Sequence, residues 1–174
     1  MSITIRQCTL TDAPILTALG RKTFYDTWSY LSDEENIQRY MDETYSEETI
    51  QQYLKGHSTV YYCAEDDGSM IGFVKLRYSS ENPKEIAHLK CLEVAQIYVD
   101  KKYQDKKVGA ALINQTLKYG ADGAFEVLWL STWESGDNKA LHFYIRYGFE
   151  KFSKHSFVMG RAVYEDILMK KDLT

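Results

Sequence analysis

The chain is poor in the residues that build cross-linked or metal-bound folds. Its 174 residues include three cysteines, two prolines and four histidines. The cysteines, Cys8, Cys63 and Cys91, are odd in number and have no CxxC spacing. This argues against a disulfide framework or a zinc site and favours reduced, buried thiols. No histidine has metal-ligand spacing with acidic or cysteine partners, so no metal is expected.

Long apolar runs and a basic excess are also missing. No segment approaches the ~20 apolar residues of a membrane span, and the amino terminus lacks the apolar core of a signal peptide. We therefore expect a cytoplasmic protein with no membrane partner. The formal net charge is −4. Because an acidic surface repels nucleic-acid phosphates and weakly favours cations, nucleic acid is not an expected partner.

What the sequence does contain is ample apolar and aromatic material. Hydrophobic residues make up 44% of the chain and aromatic residues 14%, enough for one core in a single domain spanning residues 1–174. Strands are predicted over 3–7, 60–64, 70–78, 91–99, 127–132, 149–159 and 164–170, with helices beginning near Thr11, Ser32, Ser46, Val108 and Asn138. Hairpins combined with crossovers predict a mixed α/β (α+β) fold, a twisted sheet of about seven strands flanked by helices.

The segment from Leu92 to Leu117 carries the first functional signal. A strand, a turn and a helix follow one another here, and such a turn leaves several backbone N–H groups unpaired at the positive end of the helix dipole. These groups suit a pyrophosphate. The expected cofactor-binding residues are Ile97, Tyr98, Val99, Gln104, Asp105, Lys106, Lys107, Val108, Gly109 and Ala110.

Two motifs resemble the Gcn5-related N-acetyltransferase (GNAT) superfamily. Gln104 and Gly109 fit its acyl-CoA turn pattern, Gln/Arg-x-x-Gly-x-Gly/Ala, although Lys107 stands where the family has its first glycine. The segment from Asn138 to Phe149 resembles the family's second motif, which is the more specific of the two. The stretches 130–134 and 155–160 resemble the PaiA-type branch, the bacterial spermidine/spermine N-acetyltransferases.

The resemblance implies acetyl-CoA as co-substrate, an amine acceptor and direct transfer in a ternary complex. It also implies that the strands over 91–99 and 127–132 splay apart to admit the pantetheine arm. The expected acceptor is a polyamine such as spermidine or spermine, because eight carboxylates oppose only Arg39 between Asp26 and Glu48, the segment that walls the acceptor site in this superfamily. The alternatives are a peptide or protein N-acetyltransferase and a non-catalytic acyl-CoA-binding module. Homodimer formation is left open.

Tyr144 is the expected general acid and Glu93 the expected general base. The motif puts Tyr144 beside the departing thiolate, which a phenol of pKa about 10 can protonate only if held there; the alternative is a tyrosine on the apolar face of its helix. Glu93 lies eleven residues before Gln104, the family separation for a base, and is otherwise a solvated or lysine-paired strand carboxylate. The oxyanion is expected to face a backbone N–H near 97–99.

The resemblance also implies binding roles for side chains outside the turn. Asn138 either donates a hydrogen bond to the pantetheine arm or caps its helix. Arg146, with Lys101, Lys102 and Lys106, is expected near the ribose phosphate. His155 and Trp133 are expected to line the acceptor pocket, unless His155 is a hydrogen-bonded structural residue. For Lys107 we favour an ordinary backbone with the side chain reaching a phosphate oxygen, over a left-handed residue that costs roughly 1 to 2 kcal/mol.

Overall fold

The computed structural model describes residues 2–79, 81–133 and 139–174, and seven strands within these ranges form one mixed sheet in the order β1-β2-β3-β4-β5-β7-β6. The elements are β1 (Ile3–Gln7), α1 (Ala13–Trp28), α2 (Glu34–Thr44), α3 (Glu47–Lys55), β2 (Thr59–Asp66), β3 (Ser69–Arg77), β4 (Cys91–Val99), α4 (Val108–Asp122), β5 (Val127–Trp133), α5 (Lys139–Arg146), β6 (Glu150–Met159) and β7 (Ala162–Asp172). The predicted mixed sheet flanked by helices is confirmed.

The helix starts follow from local capping chemistry. The Asp33 carboxylate accepts the N–H of Asn36 at the start of α2, and the Ser46 hydroxyl accepts the N–H of Thr49 at the start of α3. These bonds satisfy N–H groups that a helix leaves unpaired. The expected start near Thr11 was wrong, because residues 10–12 form a short 3-10 turn and α1 begins one residue after Asp12.

Parallel pairing occurs at one position in the described sheet, between β4 and β5. The two strands pair only over Cys91 to Glu93 and Val127 to Trp129. Past this point β4 continues to pair with β3 and β5 with β7, but no longer with each other. The two strands therefore diverge, as the resemblance implied, and open a gap in the middle of the sheet.

Helices cover the two faces of the sheet with separate hydrophobic clusters. Leu112 and Ile113 of α4 and Tyr144 of α5 pack on one face, whereas Leu16 of α1 and Ile37 of α2 pack on the other. All three cysteines are buried free thiols, which confirms the prediction from their spacing. Among the described residues, no helix is both long enough and apolar enough to cross a bilayer.

Candidate active site

A cleft of about 1430 Å³ opens where β4 and β5 diverge. Pockets for one small ligand usually measure roughly 300 to 1000 Å³, so this cleft has room for more than one small molecule. Its turn side is formed by residues 103–110 and α5, and its aromatic side by α1, α2 and the ends of β5, β6 and β7. The two sides meet at the diverging part of β4.

Unpaired backbone N–H groups dominate the turn side. Among the described residues, no hydrogen bond of good geometry runs from the N–H groups of residues 104–110, although residues 104–107 form turns, and the first strong helical bond runs from Ala111 N–H to the Lys107 carbonyl oxygen at 3.0 Å. The start of α4 directs these donors at the cleft, together with the positive end of its dipole. The arrangement is suited to an anion.

Lys107 adopts the left-handed conformation that we did not favour. Its φ is +64° and its ψ is +12°, so the backbone keeps the conformation of the family glycine although the side chain is a lysine. Asp105, two residues earlier, also has a positive φ of 63°. A left-handed residue with a Cβ costs roughly 1 to 2 kcal/mol, so this turn stores strain next to its N–H donors.

Basic side chains of α5 complete the turn side. Lys139, His142 and Arg146 all line the cleft at a helical spacing that puts them on one side of α5. Phe143 of the same helix packs against the turn, because a Cβ added at Gly109 would lie 3.7 Å from its ring. The helix therefore adds positive charge to the turn side and holds Gly109 in contact with α5.

The diverging edge of β4 offers further backbone groups to the cleft. The Asp100 N–H donates to the Ile71 carbonyl oxygen of the neighbouring strand at 2.9 Å. Because donors alternate between the two edges of a strand, the N–H groups of Ile97 and Val99 point the other way, into the gap. Both residues line the cleft.

Tyr144 lies at the junction of the two sides. It lines the cleft, is only 6% exposed, and packs edge-to-face against Phe143 and Phe149. Burial raises the pKa of its phenol above the ordinary value, so the hydroxyl stays protonated at neutral pH. The residue is thus part of the core, as the alternative drawn from the sequence has it, and it also lines the cleft; its role as general acid stays a prediction.

Glu93 lies behind the cleft and does not line it. Its Oε2 accepts a hydrogen bond from Arg77 Nε at 2.6 Å, and the pair joins β4 to β3 at opposing positions of the ladder. Lys75 lies on the same sheet face, with its Nζ 3.2 Å from the centre of the Tyr53 ring. The sequence allowed a lysine partner for Glu93; the partner found is an arginine.

Aromatic rings form a continuous wall on the aromatic side. Phe24 stacks on Tyr40 at 4.6 Å between ring centres, and Tyr40 meets Phe157 edge-on at 5.6 Å. The ring centres of Trp28 in α1 and Trp133 in β5 lie 6.0 Å apart. The negative faces of such rings attract cations.

A buried and poorly bonded hydroxyl belongs to this wall. Tyr45 lines the cleft, and its buried Oη makes no hydrogen bond of good geometry among the described residues, although it interacts weakly with the Tyr98 hydroxyl. A Cβ at Gly20 would overlap the Tyr45 ring, so the glycine inside α1 makes room for it. Leaving a buried polar group unsatisfied costs about 1 to 3 kcal/mol, a cost that the packing of this ring offsets.

Asp166 of β7 is the only carboxylate among the described residues that line the aromatic side. Burial raises its pKa, and the charge of His155 and the Ser131 hydroxyl offset this only in part. Within the described part of the chain, no lysine or arginine forms an ion pair with Asp166; the charge that faces it is that of His155, at the opposing position of β6. Because that charge offsets the lost hydration only in part, the carboxylate still gains from a further cation.

The hairpin between β6 and β7 closes the aromatic side against the helices. The N–H of Arg161 donates to Asn36 Oδ1 at 2.8 Å, and the Tyr164 hydroxyl donates to the Leu31 carbonyl oxygen at 3.0 Å. Gly160 sits so close to Asn36 that a Cβ would overlap it. These contacts tie the hairpin to the start of α2 across the end of the cleft.

The acidic segment between Asp26 and Glu48 does not supply the carboxylates expected in the acceptor site. None of its eight carboxylates lines the main cleft. They point to solvent, pair with cations such as Arg21 and Lys22, or cap helices as Asp33 does. The physical reason is that acidic residues favour the first turns of α2 and α3, where they complement the helix dipole.

The structure brings most of the predicted site residues together. Those that line the cleft are Ile97, Tyr98, Val99, Gln104, Asp105, Lys107, Val108, Gly109, Ala110, Trp133, Tyr144 and Arg146. Lys106 instead packs over the Tyr103 ring, with 4.9 Å from its Nζ to the ring centre. His155 lies beside Asp166 on the neighbouring strand, outside the cleft lining. Asn138 lies outside the described residues.

Sequence reasoning missed Asp166, the aromatic wall and the basic side of α5. The spacing of Lys139, His142 and Arg146 was a usable signal for the last of these. The sequence held no such signal for Asp166, because this residue reaches the cleft only when β7 pairs with β5 and places it opposite Trp133. No group of three or more histidine, cysteine or acidic side chains within the described ranges is arranged to hold a metal.

Comparisons with known proteins agree with this architecture. Residues 24–149 match the sequence profile of the Acetyltransferase (GNAT) family. A protein named as an uncharacterized N-acetyltransferase, from Lactobacillus delbrueckii subsp. lactis, is 30% identical over 98% of this chain and 98% of its own length. A spermidine N(1)-acetyltransferase from Thermoplasma acidophilum is 25% identical over 68% of this chain and 70% of its own length.

A solved structure with the same fold is the PaiA N-acetyltransferase from Thermoplasma acidophilum in complex with coenzyme A. It aligns with a TM-score of 0.80 at 22% identity, covering 99% of both chains. At this identity the likeness carries the fold alone.

Proposed function

Because the chain belongs to the GNAT acetyltransferase family, we propose that its cleft transfers the acetyl group of acetyl-CoA to a small primary amine in a ternary complex. The observation that carries the proposal is the gap between β4 and β5, which joins an anion-binding turn side to a ring-lined aromatic side with one carboxylate. One end suits a phosphorylated donor and the other a cationic acceptor.

The residues of the turn side fit the donor. The N–H groups of residues 104–110 and the cations Lys107 and Arg146 would hold its pyrophosphate and ribose phosphate. The N–H groups of Ile97 and Val99 would bind the thioester carbonyl oxygen, where negative charge develops during transfer. When bound, acetyl-CoA supplies the activated acetyl group.

Tyr144 is proposed as the acid that protonates the departing thiolate. Its place among the residues that line the cleft supports this role. Glu93 is proposed as the base. Since it pairs with Arg77 and does not line the cleft, a water must bridge it to the acceptor amine.

A polyamine is the acceptor we propose within this class. The support is the single carboxylate of Asp166 among aromatic rings and the similarity to a spermidine N(1)-acetyltransferase. The contacts of Arg161 and Tyr164 with the helices close one end of the aromatic side, which favours a small molecule over an extended peptide. Asn138 remains a proposed contact of the pantetheine arm.

The test is a spectrophotometric assay of CoA release over a panel of monoamines, diamines, spermidine, spermine and a short peptide, with calorimetric titration of acetyl-CoA alongside. We expect micromolar to millimolar KM values for a small amine, as in most enzymes. Acetyl-CoA binding without turnover of any amine would assign a non-catalytic acyl-CoA module. Turnover of the peptide alone would move the acceptor class to peptide amines.

A further inference from the structure

Asp166 is the carboxylate on the aromatic side among the described residues; His155 opposes it on β6 and offsets its burial only in part, and no described lysine or arginine forms an ion pair with it. Asp166 lines the cleft from β7, where it pairs with Trp133 of β5, and Tyr164 of the same strand also lines the cleft. A carboxylate that is partly removed from water is stabilised most by a cation that arrives with its own hydrogen-bond donors. An alkylammonium group meets that description.

The side chains around Asp166 suit the methylene chain of an alkylammonium ligand. Tyr40, Phe157 and Trp28 present rings, not charges, to the same space. No lysine or arginine is among the described residues that line the aromatic side. Rings of this kind pack on methylene chains and attract an ammonium group, but they do not bind an anion.

The aromatic side has few carboxylates that could bind an ammonium group. All eight carboxylates of the segment from Asp26 to Glu48 lie outside the main cleft, so Asp166 has no acidic companion on the aromatic side among the described residues. The hairpin contact from Arg161 to Asn36 closes the end of this space. One carboxylate in a closed, ring-lined site can neutralise one distal cation.

On the basis of the proposed acetyltransferase function, we propose that Asp166 is the specificity-determining residue for the acceptor: it binds the one distal ammonium group of an α,ω-diamine whose other amine is acetylated. The methylene chain lies between the rings of the aromatic side. A second distal charge on a longer polyamine gains little, because no further carboxylate is present to receive it. Had the carboxylates between Asp26 and Glu48 lined the acceptor site, every added ammonium group would find a partner and the preference would rise with the number of charges.

The experiment compares two acceptors that differ only in the distal group, 1,4-diaminobutane and pentylamine, which exchange an ammonium for a methyl. For the unmodified enzyme we expect kcat/KM about tenfold higher for the diamine, and spermidine within about twofold of the diamine. Asp166→Asn should remove the tenfold preference through KM for the diamine and change pentylamine less than twofold. Asp166→Glu, which keeps the charge, should restore part of the preference.

Glu165→Gln is the matched control, because it removes the same charge one residue away, where Glu165 is exposed and pairs with Lys154 at 3.1 Å. It should leave both kinetic constants unchanged. Equal losses for diamine and pentylamine in Asp166→Asn would overturn the proposal by showing a structural role, as would a wild-type enzyme that does not prefer the diamine. A protein that acetylates neither amine while binding acetyl-CoA contradicts the proposed function itself.

Discussion

The two sides of the cleft attract charges of opposite sign, and they do so with different parts of the chain. On the turn side the donors are backbone N–H groups of residues 104–110, assisted by cations such as Arg146. On the aromatic side the chain offers ring faces and the single carboxylate of Asp166. Under the proposed function, an anionic donor and a cationic acceptor would therefore be attracted to opposite sides of the cleft.

The difference teaches that recognition of the two substrates is separable. A change on the turn side should alter the affinity for acetyl-CoA and leave amine KM unchanged, and a change on the aromatic side should do the reverse. Tyr144 lies between the two sides, so its substitution should alter turnover and neither affinity.

The largest effect is expected from Tyr144→Phe, which keeps the ring packing and removes the phenolic proton. We expect kcat to fall by ~10²-fold or more with acetyl-CoA affinity changed little, because only the chemical step loses its acid. Steady-state kinetics and calorimetry measure the two quantities. Tyr119→Phe, on α4 and outside the cleft, is the control. Full activity of Tyr144→Phe would make the residue part of the core only.

Glu93→Gln should lower kcat/KM by up to ~10²-fold and flatten the acidic limb of its pH profile, since a base would be lost. Arg77→Gln is the matched control, because it breaks the same 2.6 Å ion pair and leaves the carboxylate in place. A purely structural role would be indicated if both variants lost unfolding free energy alike and the acidic limb stayed where it is.

Gly109→Val should weaken acetyl-CoA binding at least tenfold, a loss of about 1.4 kcal/mol, while amine KM stays constant. The Cβ of the valine would meet the Phe143 ring at 3.7 Å, and its two added methyl groups would displace the turn from α5 and so disturb its N–H groups. Gly109→Ala should bind nearly as the wild type does, because its Cβ would meet Phe143 at an ordinary contact distance of 3.7 Å. Calorimetric titration decides, and an unchanged affinity in the valine variant would contradict the anion-binding role of this turn.

Lys107→Gly should raise the unfolding free energy by about 1 kcal/mol or less. Relief of the left-handed strain, roughly 1 to 2 kcal/mol, exceeds the ~0.5 to 1 kcal/mol that glycine costs through its freedom in the unfolded chain. Lys106→Gly, at the preceding residue, which has no positive φ, should lower the unfolding free energy. Denaturant titration of both variants measures the difference. Salt-sensitive loss of acetyl-CoA affinity in Lys107→Gly alone would show that this lysine contacts phosphate.

The smallest effect concerns stability on the aromatic side. Burial raises the folded-state pKa of Asp166 above its unfolded value, so its favourable contribution is complete below the unfolded pKa and is lost as the pH rises through the folded pKa. Asp166→Asn cannot ionise, so its free energy of unfolding should not fall over this pH range. We expect the variant to melt at a higher temperature than wild type at pH 7 and at the same temperature near pH 4. A pH-independent difference would refute this explanation.

The turn side could be predicted from the sequence because its chemistry is local. Gln104 and Gly109 lie on one continuous stretch, and the end of β4 and the start of α4 were placed correctly. The backbone at Lys107 was not, because a side-chain identity gives only a preference for φ, and here the rest of the turn outweighs it. The strand and the helix that flank the turn were predicted and its local strain was not, whereas its anion-binding role stays a prediction.

The aromatic side could not be predicted because its residues come from five elements. Asp166 reaches the cleft only after β7 pairs with β5, and Tyr40 only after α2 packs beside α1. The acidic segment from Asp26 to Glu48 was conspicuous in the sequence, yet helix starts and surface ion pairs account for its charges. Composition alone does not tell which way a carboxylate points.

The gap between β4 and β5 has a consequence for how copies of the protein meet one another. Strand edges with unpaired N–H and C=O groups recruit strands from other molecules and so promote aggregation. Here such an edge, from Val94 to Val99, lies inside the cleft, with Trp28 and Trp133 in contact above it and Tyr144 beside it. The edge is thus enclosed by side chains of the same molecule, which limits its access to a strand from another copy.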